Sequence, residues 1–420
     1  MEPTIRGTIT APADVPGTHF YSVTAWGPSE EPGYAFQIGN YAEVTVESGK
    51  TADYVISDVG CDDCVVRLVE APYGEVIPSV GDEYWNNASN LEAAQPISAG
   101  EPGGRGFDFS PSAYSFSSTR VEGSDRYGTS VAATQTFGAG VPVLYIASGA
   151  SWADALSAAP AAAKQDGALL LTDPLALPSV VANEIRRLAP KRTVIVGSDA
   201  TVSNAVYSQI DALVRNIERI GGTDRYDTSR KIVTDGFSSD TNGFDKVYLA
   251  TGNNFPDALS VAPVAGSIGH PVLLVDGARN QLDGPTRTLL SSLNAARAVV
   301  IGQTPSISAG IENELISSGD FRYTERIGGA DRYETSWLIN ESSWFGNLLD
   351  TTYLASGEGF ADALSGSVVA ASQNRPITLS RPTCVPADTV VSLKRLHIDT
   401  ARVLGSELTL SRDAGNITPC

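Results

Sequence analysis

Three arginines, three small hydroxyl residues and three aspartates stand at matching places along this 420-residue chain. Arg126, Arg225 and Arg332 each occupy the middle of Asp-Arg-Tyr. Ser148, Thr251 and Ser356 each precede a glycine, and Asp154, Asp257 and Asp362 each open Asp-Ala-Leu-Ser two residues after Trp152, Phe255 or Phe360. A guanidinium fork suits a phosphate or carboxylate. It equally suits an ion pair to a neighbouring module or to Asp125, Asp224 and Asp331. The aspartates could hold sugar hydroxyls or a cation, or meet backbone N–H groups at a helix start. The hydroxyls serve as donors to a ligand or as turn formers. The aromatic rings could stack on a sugar or pack in a core.

Catalytic patterns are missing. There is no His-Glu-x-x-His, Gly-x-Ser-x-Gly or Gly-x-Gly-x-x-Gly. The three histidines, His19, His270 and His397, are not at equivalent places, and the repeated carboxylate comes once per repeat rather than as a pair. The expectation is a protein without catalysis, cofactor or metal.

These residues lie in three blocks that return in the same order. Asp125–Ser130 recurs at 224–229 and 331–336; Tyr145–Ser157 recurs at 248–260 and 353–365. Val196-Gly197-Ser198 has counterparts at Ile301-Gly302 and Leu404-Gly405. A period of about 100 residues means repeated domains rather than solenoid units. The first copy predicts helices over 126–137, 153–164 (kinked near Pro160), 179–188 and 204–213. Strands are expected at 143–147, 168–172, 193–196 and 216–220. Short, continuously apolar strands such as Leu169-Leu170-Leu171 are those of parallel sheets buried on both faces. Alternation with helices predicts small doubly wound sheets. All three blocks are then strand-to-helix loops on the carboxyl edge, where ligands usually bind and helix N-termini favour anions.

Charge and cysteines narrow the partners. The net charge is −19. Residues 1–119 carry 4 Lys and Arg against 17 Asp and Glu; the remainder carries 25 against 31. So acidic a first part argues against nucleic acid or anionic lipid. No apolar run reaches the roughly 18 residues of a membrane helix. No leader-like segment follows Met1, so a mature fragment behind a start Met is expected. The four cysteines fit an oxidising compartment. Cys61 and Cys64 are expected to form a local disulfide, a redox pair or half a zinc site being the alternatives; Cys384 and Cys420, both in the last repeat, are expected to pair with each other.

At the repeated blocks the chain resembles the cell wall-binding repeat 2 family. The opening stands as Arg120-Val121-Glu122-Gly123, Arg219-Ile220-Gly221-Gly222 and Arg326-Ile327-Gly328-Gly329, each followed by the Asp-Arg-Tyr block. The resemblance covers about residues 115–420. It implies three modules about a pseudo-threefold axis, at 115–215, 216–322 and 323–420. It implies non-covalent attachment to an anionic wall polymer, teichoic-acid-like or a secondary polysaccharide. The third repeat ends at Cys420 without a trailing strand, and the strand near Arg120 is expected to fill that gap.

Residues 1–114 change character. Alternating strands such as Tyr21-Ser22-Val23-Thr24 and Glu43-Val44-Thr45-Val46, punctuated by Gly, Pro and Asp, predict a small antiparallel β-sandwich. It is similar to the carboxypeptidase regulatory-like, prealbumin-like fold, which implies a spacer or adhesion module, with 110–119 as linker. The whole reads as a secreted, wall-anchored surface protein, monomeric with an internal pseudo-trimer. The alternative is the targeting part of a wall amidase or protease whose catalytic domain lies outside this chain.

Overall fold

A computed structural model describes residues 5–10, 18–28, 35–47, 49–56, 65–70, 83–84 and 116–420, the last range without 239, 241–242, 343–349 and 397. The chain divides into two compact units, Met1–Ser115 with Leu393–Asp399, and Phe116–Ser392 with Thr400–Cys420.

The first unit is antiparallel throughout its described strands. They are β1 (Ile5–Thr10), β2 (Thr18–Pro28), β3 (Ala35–Glu47), β4 (Thr51–Ile56), β5 (Val65–Glu70) and β6 (Glu83–Tyr84). Four form a sheet in the order β3-β2-β5-β6, and β1 pairs with β4. Val44 and Val46 are buried while Thr45 and Glu47 are exposed, the two-residue period of a sheet covering a core on one face. Cys61 and Cys64 lie outside the described residues.

The second unit repeats one α/β pattern. Its first turn comprises β7 (Ser117–Val121), α1 (Arg126–Thr134), β8 (Val143–Ser148), α2 (Ala158–Lys164), β9 (Ala168–Thr172), α3 (Ser179–Leu188), β10 (Arg192–Val196), α4 (Asn204–Asp211) and β11 (Ile217–Ile220). The second comprises α5 (Arg225–Phe237), β12 (Phe244–Thr251), α6 (Pro256–Ser267), β13 (Val272–Val275), α7 (Gly284–Leu293), β14 (Ala295–Ile301), α8 (Ala309–Ser317) and β15 (Tyr323–Ile327). The third comprises α9 (Arg332–Glu341), β16 (Thr351–Ser356), α10 (Ala361–Ser372), β17 (Ile377–Ser380), α11 (Ala387–Arg395), β18 (Thr400–Leu404) and α12 (Arg412–Gly415).

Three parallel sheets result, ordered β11-β10-β8-β9, β15-β14-β12-β13 and β7-β18-β16-β17. Every residue of β8 and β9 is buried, which explains their unbroken apolar sequence. The third sheet takes its outer strand from the start of the unit. Thr400 pairs with Ser117 and Leu404 with Val121, so the modules close into a ring. The first sheet likewise ends with β11, beyond residue 215. Each module therefore ends in a strand whose following helix packs on the next sheet.

Helices α2, α6 and α10 meet around the centre of the ring. They are apolar all round, and α6 is buried from Pro256 to Gly266, as a helix without a solvent face must be. A Cβ built on Gly266 would lie 2.9 Å from the methyls of both Ala163 and Ala371, so three backbones approach closely there. The kinked helix expected over 153–164 begins at Ala158 instead. That start puts Pro160 in the first turn, where its missing N–H leaves no helix bond unmade.

Candidate functional site at the module junctions

Each Asp-Arg-Tyr block crosses a junction, following the last strand of one sheet and opening the first helix on the next. The aspartates are helix caps. Asp125 accepts from the N–H groups of Tyr127 and Gly128 at 2.9 and 2.8 Å. Asp224 accepts from Asp227, and Asp331 from Tyr333 and Glu334. Each has extended backbone, the usual cap geometry. These helix ends, expected to attract an outside anion, already hold a carboxylate of their own.

Among the described residues, the three arginines make no ion pair. Arg126 donates to the carbonyl of Gly149 at 2.5 Å, Arg225 to that of Gly252 at 2.6 Å, and Arg332 to that of Gly357. Each guanidinium also lies over an aromatic ring of the preceding module. Arg126 is 5.8 Å from the Phe360 centroid, Arg225 5.0 Å from Trp152 and Arg332 6.0 Å from Phe255. The rings touch in turn, Trp152 to Phe255 at 6.2 Å and Phe255 to Phe360 at 6.1 Å. Three half-buried aromatics and three arginines thus form a rosette at the ring's centre. The remaining guanidinium N–H groups make no protein hydrogen bond among the described residues. Between the third and first modules the rosette opens into a groove of about 450 Å³, bordered by Arg126, Phe360, Glu358 and Leu408.

The other six predicted residues are turned inward. Ser148, Thr251 and Ser356 are buried, and their hydroxyls accept from the N–H groups of Ala150, Asn253 and Glu358 at 3.2 Å each. They shape the turn after the central strand. Asp154, Asp257 and Asp362 reach across to the Gly-Ser loop after the third strand. Asp154 accepts from the Thr201 hydroxyl at 3.0 Å; Asp257 does so from Ser306, and Asp362 from Thr409 and Thr129. Gly197, Gly302 and Gly405 stand there at φ +96°, +93° and +90°, and a Cβ would come within 2.6, 2.3 and 2.3 Å of the respective carboxylate. Burial raises the carboxyl pKa of Asp257 and Asp362, opposed by those hydroxyls and by Arg332 and Arg126. The crevice between first and third strands, where a doubly wound sheet usually takes its ligand, is therefore filled by the protein's own side chain.

Several residues of the blocks had no assigned task in the sequence reading. Ser130, Ser229 and Ser336 are buried and accept from the N–H groups of Leu171, Leu274 and Leu379 on the edge strands, at 2.8, 2.9 and 3.0 Å. Thr129, Thr228 and Thr335 accept from Gly123, Gly222 and Gly329. The opening arginines Arg120, Arg219 and Arg326 donate to the carbonyls of Gly405, Gly197 and Gly302. Repetition itself is the signal that marks them. Cys384 and Cys420 are joined in a disulfide, their Cα atoms 5.1 Å apart. Among the described residues no group of three or more His, Cys, Asp or Glu could hold a metal ion, and no helix is long and apolar enough to cross a membrane.

Three doubly wound modules, each fastened to the next through the same loops and closed head to tail, define a tandem-repeat α/β ring protein. The chain belongs to the family of cell wall binding domain 2, whose model matches residues 120–207, 219–312 and 326–414. It is 30% identical over 262 residues to the N-acetylmuramoyl-L-alanine amidase LytC of Bacillus subtilis (strain 168), covering 62% of this chain and 50% of the relative. It is 26% identical over 298 residues to the amidase enhancer of the same organism, covering 71% and 39%. The chain thus spans half or less of the length of these two relatives. The fold is also that of Cwp6 from Clostridium difficile, with a TM-score of 0.66 at 20% identity over 99% of this chain and 68% of that one. Cwp8 from the same organism gives 0.62 at 17% identity, over 91% and 72%.

Proposed function

We propose that this protein is a secreted surface protein held to the bacterial cell wall without a covalent bond, through an anionic wall polymer that lies on the arginine–aromatic rosette. The observation that carries this reading is the rosette itself: three guanidinium groups with unused N–H donors beside three half-exposed rings. Guanidinium forks take phosphate or carboxylate, and aromatic faces take sugar rings. A teichoic-acid-like polymer or a secondary wall polysaccharide offers both. The buried Ser148, Thr251, Ser356 and the aspartates Asp154, Asp257 and Asp362 support the loops that carry the rosette. The modules are assigned to 115–215, 216–322 and 323–420, the first domain to a β-sandwich spacer, and the chain is read as a monomer that binds without catalysis.

The test is sedimentation of the intact chain with isolated walls, native and stripped of anionic polymer. Binding is expected to native walls, to fall as salt screens the charges, and to weaken in Arg225→Ala/Arg332→Ala while the fold persists. Equal binding to stripped walls, or by that variant, would refute the rosette as the polymer site. The targeting region of a longer wall hydrolase is the second reading, favoured by the greater length of the two Bacillus relatives; the full open reading frame decides it.

A further inference from the structure

The second module carries a cavity of about 780 Å³ beside Tyr226, under the loop that follows β13 and lined by none of the rosette's arginines or rings. That loop has eight residues, 276–283, between β13 and α7. The equivalent loops 173–178 and 381–386 have six. Asn280 and Gln281 of this longer loop line the cavity. Val275 and Leu282 provide an apolar floor, and Tyr226 and Thr286 line the wall.

The loop is held in place by its own bonds. The Ser308 hydroxyl donates to the Arg279 carbonyl at 2.5 Å, and the Ser308 N–H to the Gly277 carbonyl at 2.9 Å. Leu282 N–H donates to Glu314 at 2.7 Å. Arg287 donates to the Leu282 carbonyl at 2.6 Å. Asn253 links the Tyr226 hydroxyl, at 3.0 Å, to Asp276, at 3.2 Å. The cavity is preformed, as small-ligand sites usually are.

Its lining has the chemistry of saccharide recognition. Asn280 and Gln281 are exposed, and their side-chain amides have no protein partner among the described residues. With Asp276 and Arg279 they offer planar donors and acceptors in pairs, beside an aromatic ring. Asp224, Asp276 and Asp283 border the cavity with Arg279; Arg279 is ion-paired with Asp276 and Arg230 with Asp283, each at 3.0 Å, and Asp224 caps its helix. With its one lining cation already paired and carboxylates beside it, the cavity disfavours a phosphate or uronate. The carboxylates do not converge into a metal cage, and they already accept from protein donors, so the exposed amides of Asn280 and Gln281 are the groups left to exchange hydrogen bonds with hydroxyl or acetamido groups.

We propose that this cavity is a second glycan subsite, specific to the middle module, which takes a sugar unit without negative charge. It is independent of the anionic-polymer reading. Wall sedimentation can fail while this site binds, and the reverse. The test is calorimetric titration of the full chain with chitotriose, its fully deacetylated glucosamine trimer and trigalacturonic acid. Heat is expected with one or both of the first two and not with the third. Asn280→Ala/Gln281→Ala should weaken that binding about tenfold, the loss that goes with an ordinary hydrogen bond or two, with unchanged melting. A loop trimmed of 280–281, to the length found in the other modules, should abolish it. Absence of heat with both amino-sugar trimers at millimolar concentration overturns the proposal. So does unchanged affinity in the double variant, or equal binding of trigalacturonic acid.

Discussion

The junction loops and the outer loops of this molecule sit on the same edge of the same three sheets, yet they are built by opposite rules. At the junctions the same residues recur three times in nearly the same bonds. In the outer loops, after β9, β13 and β17, the N–H of Ser203, Ser308 or Ser411 meets the loop's second carbonyl each time, but length, charge and the remaining bonds differ. The first is held by Asp173, which accepts from Leu175 and Ala176 N–H and from the Tyr127 hydroxyl. The second is two residues longer and laced to α8. The third replaces that aspartate with Arg381, whose guanidinium lies 5.8 Å from the Tyr333 ring centroid, and is tied by Cys384 to Cys420. Repetition marks what holds the modules in register. Variation marks where the surface is free to acquire a different chemistry.

The contrast can be broken or sharpened by experiment. The largest effect is expected in the outer loop that is covalently fastened. Reduction of the 384–420 disulfide, which spans 36 residues, should cost about 3–4 kcal/mol by the chain-entropy estimate, read as a drop in urea midpoint. An unchanged midpoint would make that bridge dispensable. Next come the junctions. Gly302→Ala combines a left-handed backbone with a clash against Asp257 and should destabilise by about 2–3 kcal/mol; a neutral result would show that the loop relaxes. Ser336→Ala leaves the buried N–H of Leu379 without its acceptor and should cost about 2 kcal/mol, measurable by thermal melting, with Ser229→Ala behaving alike if the modules are equivalent.

A smaller effect is confined to acid. His270 packs against the Phe244 ring at 6.2 Å, and its buried Nδ1 has no hydrogen-bond partner among the described residues. Burial pushes its pKa down to about 4. The unfolded state then binds the extra proton between about pH 6.5 and 4, so this residue's contribution is present above that window and lost as pH falls through it. His270→Phe should flatten the stability profile there and leave it unchanged at pH 7. The smallest effect belongs to the exposed outer loop: Asn280→Ala should stay within about 0.5 kcal/mol of the parent, which makes it a clean probe of binding.

Much of this was legible in the sequence because periodicity reports packing. Helix 179–188 and strand 168–172 were placed to the residue, since apolar runs and Pro178 bound them. The strand near Arg120 was expected to complete the third sheet, and its pairing with β18 does so. Less legible was the direction of the side chains. Asp154, Asp257 and Asp362 look like ligands in one dimension, because a carboxylate near a glycine loop says nothing of which side of the loop it fills. The Asp-Arg pairs suggested ion pairs; the cap geometry gives the carboxylate to backbone N–H groups, and the guanidinium is left to a carbonyl and an aromatic face. The longer outer loop of the second module was invisible to a search for sameness.

The pairing of β7 with β18 also sets an order of events at the ribosome. Residues 117–121 are made before the rest of the ring but have no strand to lie against until residue 404 has emerged, so one open sheet edge waits through the synthesis of nearly three modules. Shutting it is the last and most entropically demanding step of assembly. A chain cut between residue 327 and that strand would carry two folded modules and still be unfinished, with its first edge left to pair with a neighbouring copy.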